Sequence, residues 1–150
     1  MEKIALFAGT FAPYTVGHHS IATRALAMFD KIIIAVGYNS KKSSQGDTAE
    51  RVESIARIYA DEPRIEVVAY EGLTADFAKE RGACCLLRGV RSVKDFEYER
   101  DLADLNREIS GLETVILPCE PQYAAISSSA VRELMSYGKD VSKFLPKKEQ

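Results

Sequence analysis

Short apolar runs recur along this chain at residues 4–8, 32–36, 65–69, 83–87 and 114–117, and longer stretches with helical spacing separate them. That rhythm constrains the fold more than any other feature. Runs of this length rich in Ile, Val and Leu read as strands, and strands alternating with helices build βαβ units and a parallel sheet. The second and fourth runs are continuously apolar rather than alternating, so they suit strands covered on both faces. The expected fold is α/β: a Rossmann-like, doubly wound, five-stranded parallel sheet with helices on both faces. With 150 residues, 46% of them hydrophobic, the chain can bury one sizeable core, and a single domain over 1–150 is expected, with 147–150 a frayed tail.

The helices are read from their stripes. After Gly17, residues Ile21, Ala25 and Met28, joined by Ala22, Leu26 and Phe29, share one side of a helix expected to end near Asp30. Asp47 and Glu50 have the spacing of a capping box that opens a helix burying Val52, Ile55, Ala56 and Tyr59. Thr74 is expected to cap a short helix through Phe77 and Ala78 that stops at Gly82. Residues 95–110 carry Tyr98, Leu102, Leu105 and Ile109 at helical spacing, a stripe expected to be core or subunit interface, and 127–137 form the last helix. The polar stretch 39–47 is expected to be a mobile loop.

Charge narrows the function. Twenty Lys and Arg against 22 Asp and Glu leave a net charge of -2, without the basic surface of a general nucleic-acid binder, so any phosphate chemistry is local. No stretch reaches the ~18 apolar residues of a membrane span, and a strand-like run follows Met1-Glu2-Lys3 at once, so the expectation is cytoplasmic and unprocessed. Cys84 and Cys85 sit together in an apolar run, where packing is expected, and Cys119 follows a proline; this is neither a disulfide framework nor a metal knuckle. His18 and His19 are adjacent on a helix and diverge by about 100°, too far apart to share one ion, and no protein metal site is expected.

In an open parallel sheet, ligands settle beyond the carboxyl ends of the strands. The segments following the strands are 9–19, 39–42, 88–91 and 126–129, and they gather hydroxyls, tight turns and cations. That inventory suits a polyphosphate: backbone N–H groups at helix starts, hydroxyl donors, and Arg or Lys against the negative charge. Neither Gly-x-x-x-x-Gly-Lys-Ser/Thr nor Gly-x-Gly-x-x-Gly is present, so a P-loop NTPase and an NAD-dependent oxidoreductase are unsupported. Each group also has a plainer reading. Serines at 127–129 cap helices, Lys41 and Lys42 on a polar loop are commonly solvated, and Arg88 and Arg91 have Asp95, Glu97 and Glu99 nearby as ion-pair partners.

Four segments together resemble one family. Gly9-Thr10-Phe11-x-Pro13, Thr15-x-Gly17-His18, Arg88-Gly89-x-Arg91 with Asp95-Phe96-Glu97-Tyr98-Glu99, and Ile126-Ser127-Ser128-Ser129 with Val131-Arg132-Glu133 are similar to the phosphopantetheine adenylyltransferases of bacterial coenzyme A biosynthesis. The likeness runs from the first strand to about Pro146. The Thr/His-x-Gly-His turn belongs to the wider nucleotidyltransferase superfamily, while the Arg-Gly-x-Arg block is narrower.

The resemblance implies a single nucleotidyltransferase domain in which 4′-phosphopantetheine attacks the α-phosphate of MgATP, giving dephospho-coenzyme A and pyrophosphate. It implies Mg2+ bound with ATP, a homohexamer, and inhibition by coenzyme A. It makes Thr10, His18, Lys42 and Arg91 catalytic: Thr10 orients the attacking phosphate and His18 donates to the α-phosphate. Lys42, or Lys41 in its place, and Arg88 would hold the phosphopantetheine phosphate, and Thr74 would lie along the pantetheine arm. ATP would be surrounded by Thr10, Phe11, His18, Gly89, Val90, Arg91 and Glu99, together with Tyr123, Ala124, Ala125, Ile126, Ser127, Ser128 and Ser129. Two alternatives stay open: transfer to another phosphorylated acceptor such as nicotinamide mononucleotide, and a nucleotide-binding module without turnover. Three departures stand out: Ala12 where the family has Asp, His19 where an aliphatic residue is common, and a short tail after Pro146.

Overall fold

The computed structural model describes residues 1–39 and 45–147. Five strands, β1 (Ile4–Gly9), β2 (Lys31–Gly37), β3 (Ile65–Tyr70), β4 (Cys85–Val90) and β5 (Glu113–Pro118), form one sheet in the order β3-β2-β1-β4-β5, every pairing parallel. The chain lays β2 and β3 outward on one side of β1, then crosses back to lay β4 and β5 on the other. The order therefore reverses between β1 and β4, where a crevice opens at the strands' carboxyl ends.

Alternation along β1 and β2 sorts the core into two layers. Ala5, Phe7, Ile32, Ile34 and Val36 point to the face packed by α1 (Val16–Ala25) and α2 (Gln45–Ile58), meeting Ile21, Ala22, Ala25 and Ile55. Leu6, Ala8, Ile33 and Ala35 point the other way, toward Phe77 and Ala78 of α3 (Thr74–Glu80). The long helix α4 (Val93–Ser110) packs on β4 and β5, and α5 (Ser128–Ser136) buries Val131. Burial on both faces explains why the central strands are apolar throughout.

Several boundaries differ from the sequence expectation. Helix α1 stops at Ala25 and turns through 26–28, which leaves Met28 47% exposed rather than in the stripe. Helix α2 opens at Gln45, so Asp47 lies in its first turn instead of capping it and the loop is shorter than 39–47; Ala56 is exposed, while Ile55 and Tyr59 are buried as expected. Thr74 is the first residue of α3 and not its cap, because its hydroxyl faces that of Tyr70 at 2.8 Å. A left-handed turn at Gly82 (φ 74°) delays β4 to Cys85. As a result Cys84 is exposed rather than packed, and Arg88, Gly89 and Val90 lie inside the strand, not beyond it. The stripe on α4 is not core of this chain: Tyr98, Leu105 and Ile109 are 62%, 61% and 59% exposed, and the helix buries Glu99 instead. Among the tail residues, 148–150 lie outside the described residues.

Candidate active site

The β1–α1 turn is built around a capping box with an uncommon partner. Thr15 is the N-cap of α1; its hydroxyl accepts from the His18 backbone N–H, and His18 Nδ1 accepts from the Thr15 backbone N–H at 2.9 Å. An imidazole thus fills the place usually taken by Glu or Gln. The consequence is chemical. With its lone pair engaged at Nδ1, the neutral ring carries its proton on Nε2 and can only donate there. Burial, reinforced by the positive charges of Arg88 and Arg91, pulls the His18 pKa down to about 4, so the site holds a neutral donor at neutral pH.

Aromatic rings hold this imidazole in place. Phe11 meets it edge-on at 5.0 Å and Tyr14 stacks on it at 5.4 Å with planes 22° apart. Phe11 adopts the left-handed region (φ 48°), a conformation that costs a non-glycine residue energy and persists here because its ring is buried among Phe7, Tyr14 and His18. Two arginines from distant helices bind this loop's carbonyls: Arg51 donates to Thr10 O at 3.2 Å and Arg132 to Ala12 O at 2.6 Å. The loop lacking the family's Asp is thereby braced through its backbone.

Arg88 projects from β4. It grips the buried Glu99 carboxylate through Nε and Nη2 at 2.7 and 2.8 Å and donates from Nη1 to Ala8 O at 2.7 Å. Three of its five N–H groups are engaged and two remain. Arg91, just past the strand, is held more loosely, with Nη2 3.6 Å from Asp95 and Nη1 3.5 Å from Ala124 O. Opposite them, Ser127 caps α5 through Ala130 N–H, Ser128 donates to Pro13 O at 2.8 Å, and Ser129 Oγ lies 3.3 Å from Ser127 Oγ. Three serine hydroxyls and a helix N-terminus face the same space.

That space is a cavity of about 400 Å3 lined by Thr10, Phe11, His18, Arg88, Gly89, Val90, Arg91, Tyr123, Ile126, Ser127, Ser128 and Ser129, among others. Among the described residues that line it, none is a carboxylate. A second cavity of about 260 Å3 adjoins it, sharing Arg88 and lined by Tyr70, Leu73, Thr74, Glu99, Leu102 and Asn106. The sequence-predicted site residues are therefore largely brought together, with these differences. Glu99 and Thr74 line the second cavity rather than the first; Glu99 is drawn there by its ion pair with Arg88. Ala124 and Ala125 flank the first without lining it. Lys41 and Lys42 lie outside the described residues. Sequence reasoning gave no role to Arg51 or Arg132, although Arg132 stands in a quoted motif; nor to Cys119, which lines the first cavity.

Comparison with known proteins points the same way. The model of the cytidylyltransferase-like family matches residues 6–134. A phosphopantetheine adenylyltransferase of Porphyromonas gingivalis is 54% identical over 145 residues, 97% of this chain and 95% of that one. Another of that name, from Phocaeicola vulgatus, is 49% identical over 142 residues, covering 95% and 94%. In fold, the chain is similar to a bifunctional NMN adenylyltransferase/ADP ribose pyrophosphatase of Francisella tularensis, with a TM-score of 0.69 at 15% identity over 99% of this chain and 46% of that one.

Proposed function

This chain belongs to the phosphopantetheine adenylyltransferase family, within the cytidylyltransferase-like group, and on that premise we propose how its residues carry out the reaction. The enzyme moves AMP from ATP to 4′-phosphopantetheine, forming dephospho-coenzyme A and pyrophosphate. The acceptor phosphate is already an anionic nucleophile, so alignment and stabilisation of charge on the α-phosphoryl oxygens are enough, and no protein base is needed. A cavity of hydroxyls, guanidinium groups and one imidazole N–H, without a carboxylate, supports that reading.

In this reading the triphosphate lies in the larger cavity, with its β and γ groups toward Arg91, Ser127–Ser129 and the start of α5. His18 Nε2–H donates to the α-phosphate, and the hydrogen bond strengthens as negative charge builds on the accepting oxygens. Thr10 orients the incoming phosphate, and Arg88, shared by both cavities, holds it together with Lys42. The pantetheine arm runs past Thr74 in the smaller cavity. ATP would bring Mg2+ with it, and because the described lining of guanidinium groups and hydroxyls offers no carboxylate to the ion, the ion would offset phosphate charge without a protein cage.

Coenzyme A carries the same pantetheine arm and nucleotide and would compete for both cavities. The chain assembles as a homohexamer, a reading supported by the apolar residues exposed on α4; a particle of six chains by light scattering is the expected result. A cytoplasmic setting is supported by three cysteines without a disulfide, and among the described residues no helix is long and apolar enough to cross a membrane. Pyrophosphate release from ATP, measured with a panel of acceptors, tests the function. Release is expected with 4′-phosphopantetheine, and equal release with nicotinamide mononucleotide would overturn the acceptor assignment.

A further inference from the structure

Three polar side chains beside the site take no part in the scheme above. His19 Nδ1 lies 2.8 Å from Tyr59 Oη, and Tyr59 Oη lies 2.5 Å from Tyr14 Oη. The rings of His19 and Tyr59 stack at 5.4 Å, and Tyr14 stacks on His18. None of the three lines the cavity that His18 faces. Tyr14 and Tyr59 are 5% and 7% exposed inside an apolar cluster, where phenylalanines would fill the same space without hydroxyls to satisfy. Burial holds both phenols well above their ordinary pKa, so they remain neutral hydroxyls.

The value of this chain lies in what it does to Tyr14. His18 is tethered at Nδ1 alone, by the Thr15 N–H at 2.9 Å with the Thr15 hydroxyl 3.2 Å from the same atom, and contacts that converge on one atom leave a ring free to tilt about it. A tilt of roughly 25° about Nδ1 would carry Nε2, about 2.2 Å away, by close to 1 Å, a misplacement on the scale that costs up to ~100-fold in rate. Phe11 blocks the swing edge-on and Tyr14 blocks it face-on. Tyr14 can serve as a wall only if it is itself fixed, and its one polar atom is pinned by Tyr59, which is pinned in turn by His19. We propose that His19 and Tyr59 are positioning residues for the transfer: acting through Tyr14, they fix the plane of the His18 ring and so the aim of its Nε2–H. This gives a purpose to the imidazole at position 19. It rests on the reading that His18 donates to the α-phosphate.

The test uses Tyr59→Phe, His19→Leu, the double variant and His19→Gln, whose amide can again bond the Tyr59 hydroxyl. Turnover, KM for both substrates, and the 15N resonances of the His18 ring are measured in each. Tyr59→Phe and His19→Leu are each expected to lower kcat about ten-fold with KM within two-fold, and to replace the single Nε2–H pattern of His18 by an averaged one. The double variant should be no worse than either single one, and His19→Gln should recover most of the rate. Should Tyr59→Phe fail to fold, His19→Leu, at the more exposed end, decides the matter alone. Folded variants with kcat within two-fold of the parent and an unchanged His18 spectrum would overturn the proposal, as would losses that multiply in the double variant. If the parent enzyme itself transfers no AMP, the functional reading fails separately, and the His18 spectrum still reports whether the chain of hydroxyls holds the ring.

Discussion

Arg88 and Arg91 stand three residues apart on either side of the end of β4, and the protein treats them in opposite ways. Arg88 is locked by three bonds of 2.7 to 2.8 Å to a buried carboxylate and a strand carbonyl. Arg91 has only contacts of 3.5 and 3.6 Å from its guanidinium. A cation fixed before any ligand arrives presents one geometry, which suits a single phosphate that must be aligned for attack. A loosely held cation can follow a flexible triphosphate as it settles. In the proposed reaction, the same side chain would meet a fixed and a moving partner, differing only in what anchors it.

The largest expected effect comes from breaking the anchored member. Arg88→Ala leaves the Glu99 carboxylate buried without its partner and should cost about 2–4 kcal/mol of unfolding free energy, toward the lower end for a buried pair because Arg88 remains a third open to solvent. It should also raise the acceptor KM roughly 10- to 100-fold. Denaturant melts and steady-state kinetics check both, and an unchanged melt would show the pair to be idle.

Next is the pH response of His18, whose pKa is lowered first by burial and then by the charges of Arg88 and Arg91. In the folded chain its pKa is about 4 against an ordinary 6.5, so below pH 6.5 the unfolded chain binds a proton that the folded one refuses. Stability should therefore be full above pH 6.5 and decline as the pH falls toward 4, by about 3 kcal/mol in total. His18→Gln should flatten that part of the profile. Arg88→Ala should raise the His18 pKa more than Arg91→Ala does, since Arg88 is the larger influence after burial; the reverse order in an NMR titration would contradict the comparison.

Gly89 separates the two arginines in the strand. A Cβ there would come within 2.9 Å of Ile21 Cγ1, so Gly89→Ala should force α1 away from β4 and cost about 1–3 kcal/mol. The smallest effect is expected from Arg91→Ala: a change in stability within about 0.5 kcal/mol, measured by the same melts, with the ATP KM raised about ten-fold. A stability loss matching that of Arg88→Ala would erase the distinction.

How much of this was legible in the sequence depended on the range of the interactions. The central strands were readable because a parallel sheet buries both their faces, and their apolar runs record it directly. The Thr15-to-His18 turn was legible as a motif, though its basis, a capping box closed by an imidazole, became visible only with the backbone. The orientation of α4 was not legible. A stripe of Tyr98, Leu105 and Ile109 outranks a carboxylate in any periodicity argument, yet Arg88 draws Glu99 inward and turns the stripe out. Arg51 and Arg132 reach carbonyls 41 and 120 residues away, and no local pattern marks such contacts. The delayed start of β4 was missed because Ala83 and Cys84 continue the apolar run while Gly82 is still completing the turn.

In the proposed reaction, His18 donates through Nε2 to the α-phosphate mainly in the transition state. That role is tested most directly by His18→Ala, with turnover and ATP affinity measured on the same folded protein. The expected result is a 100- to 1,000-fold fall in kcat, about 2.7–4 kcal/mol, with ATP affinity little changed. Loss of ATP binding with the fold intact, or undiminished turnover, would contradict it.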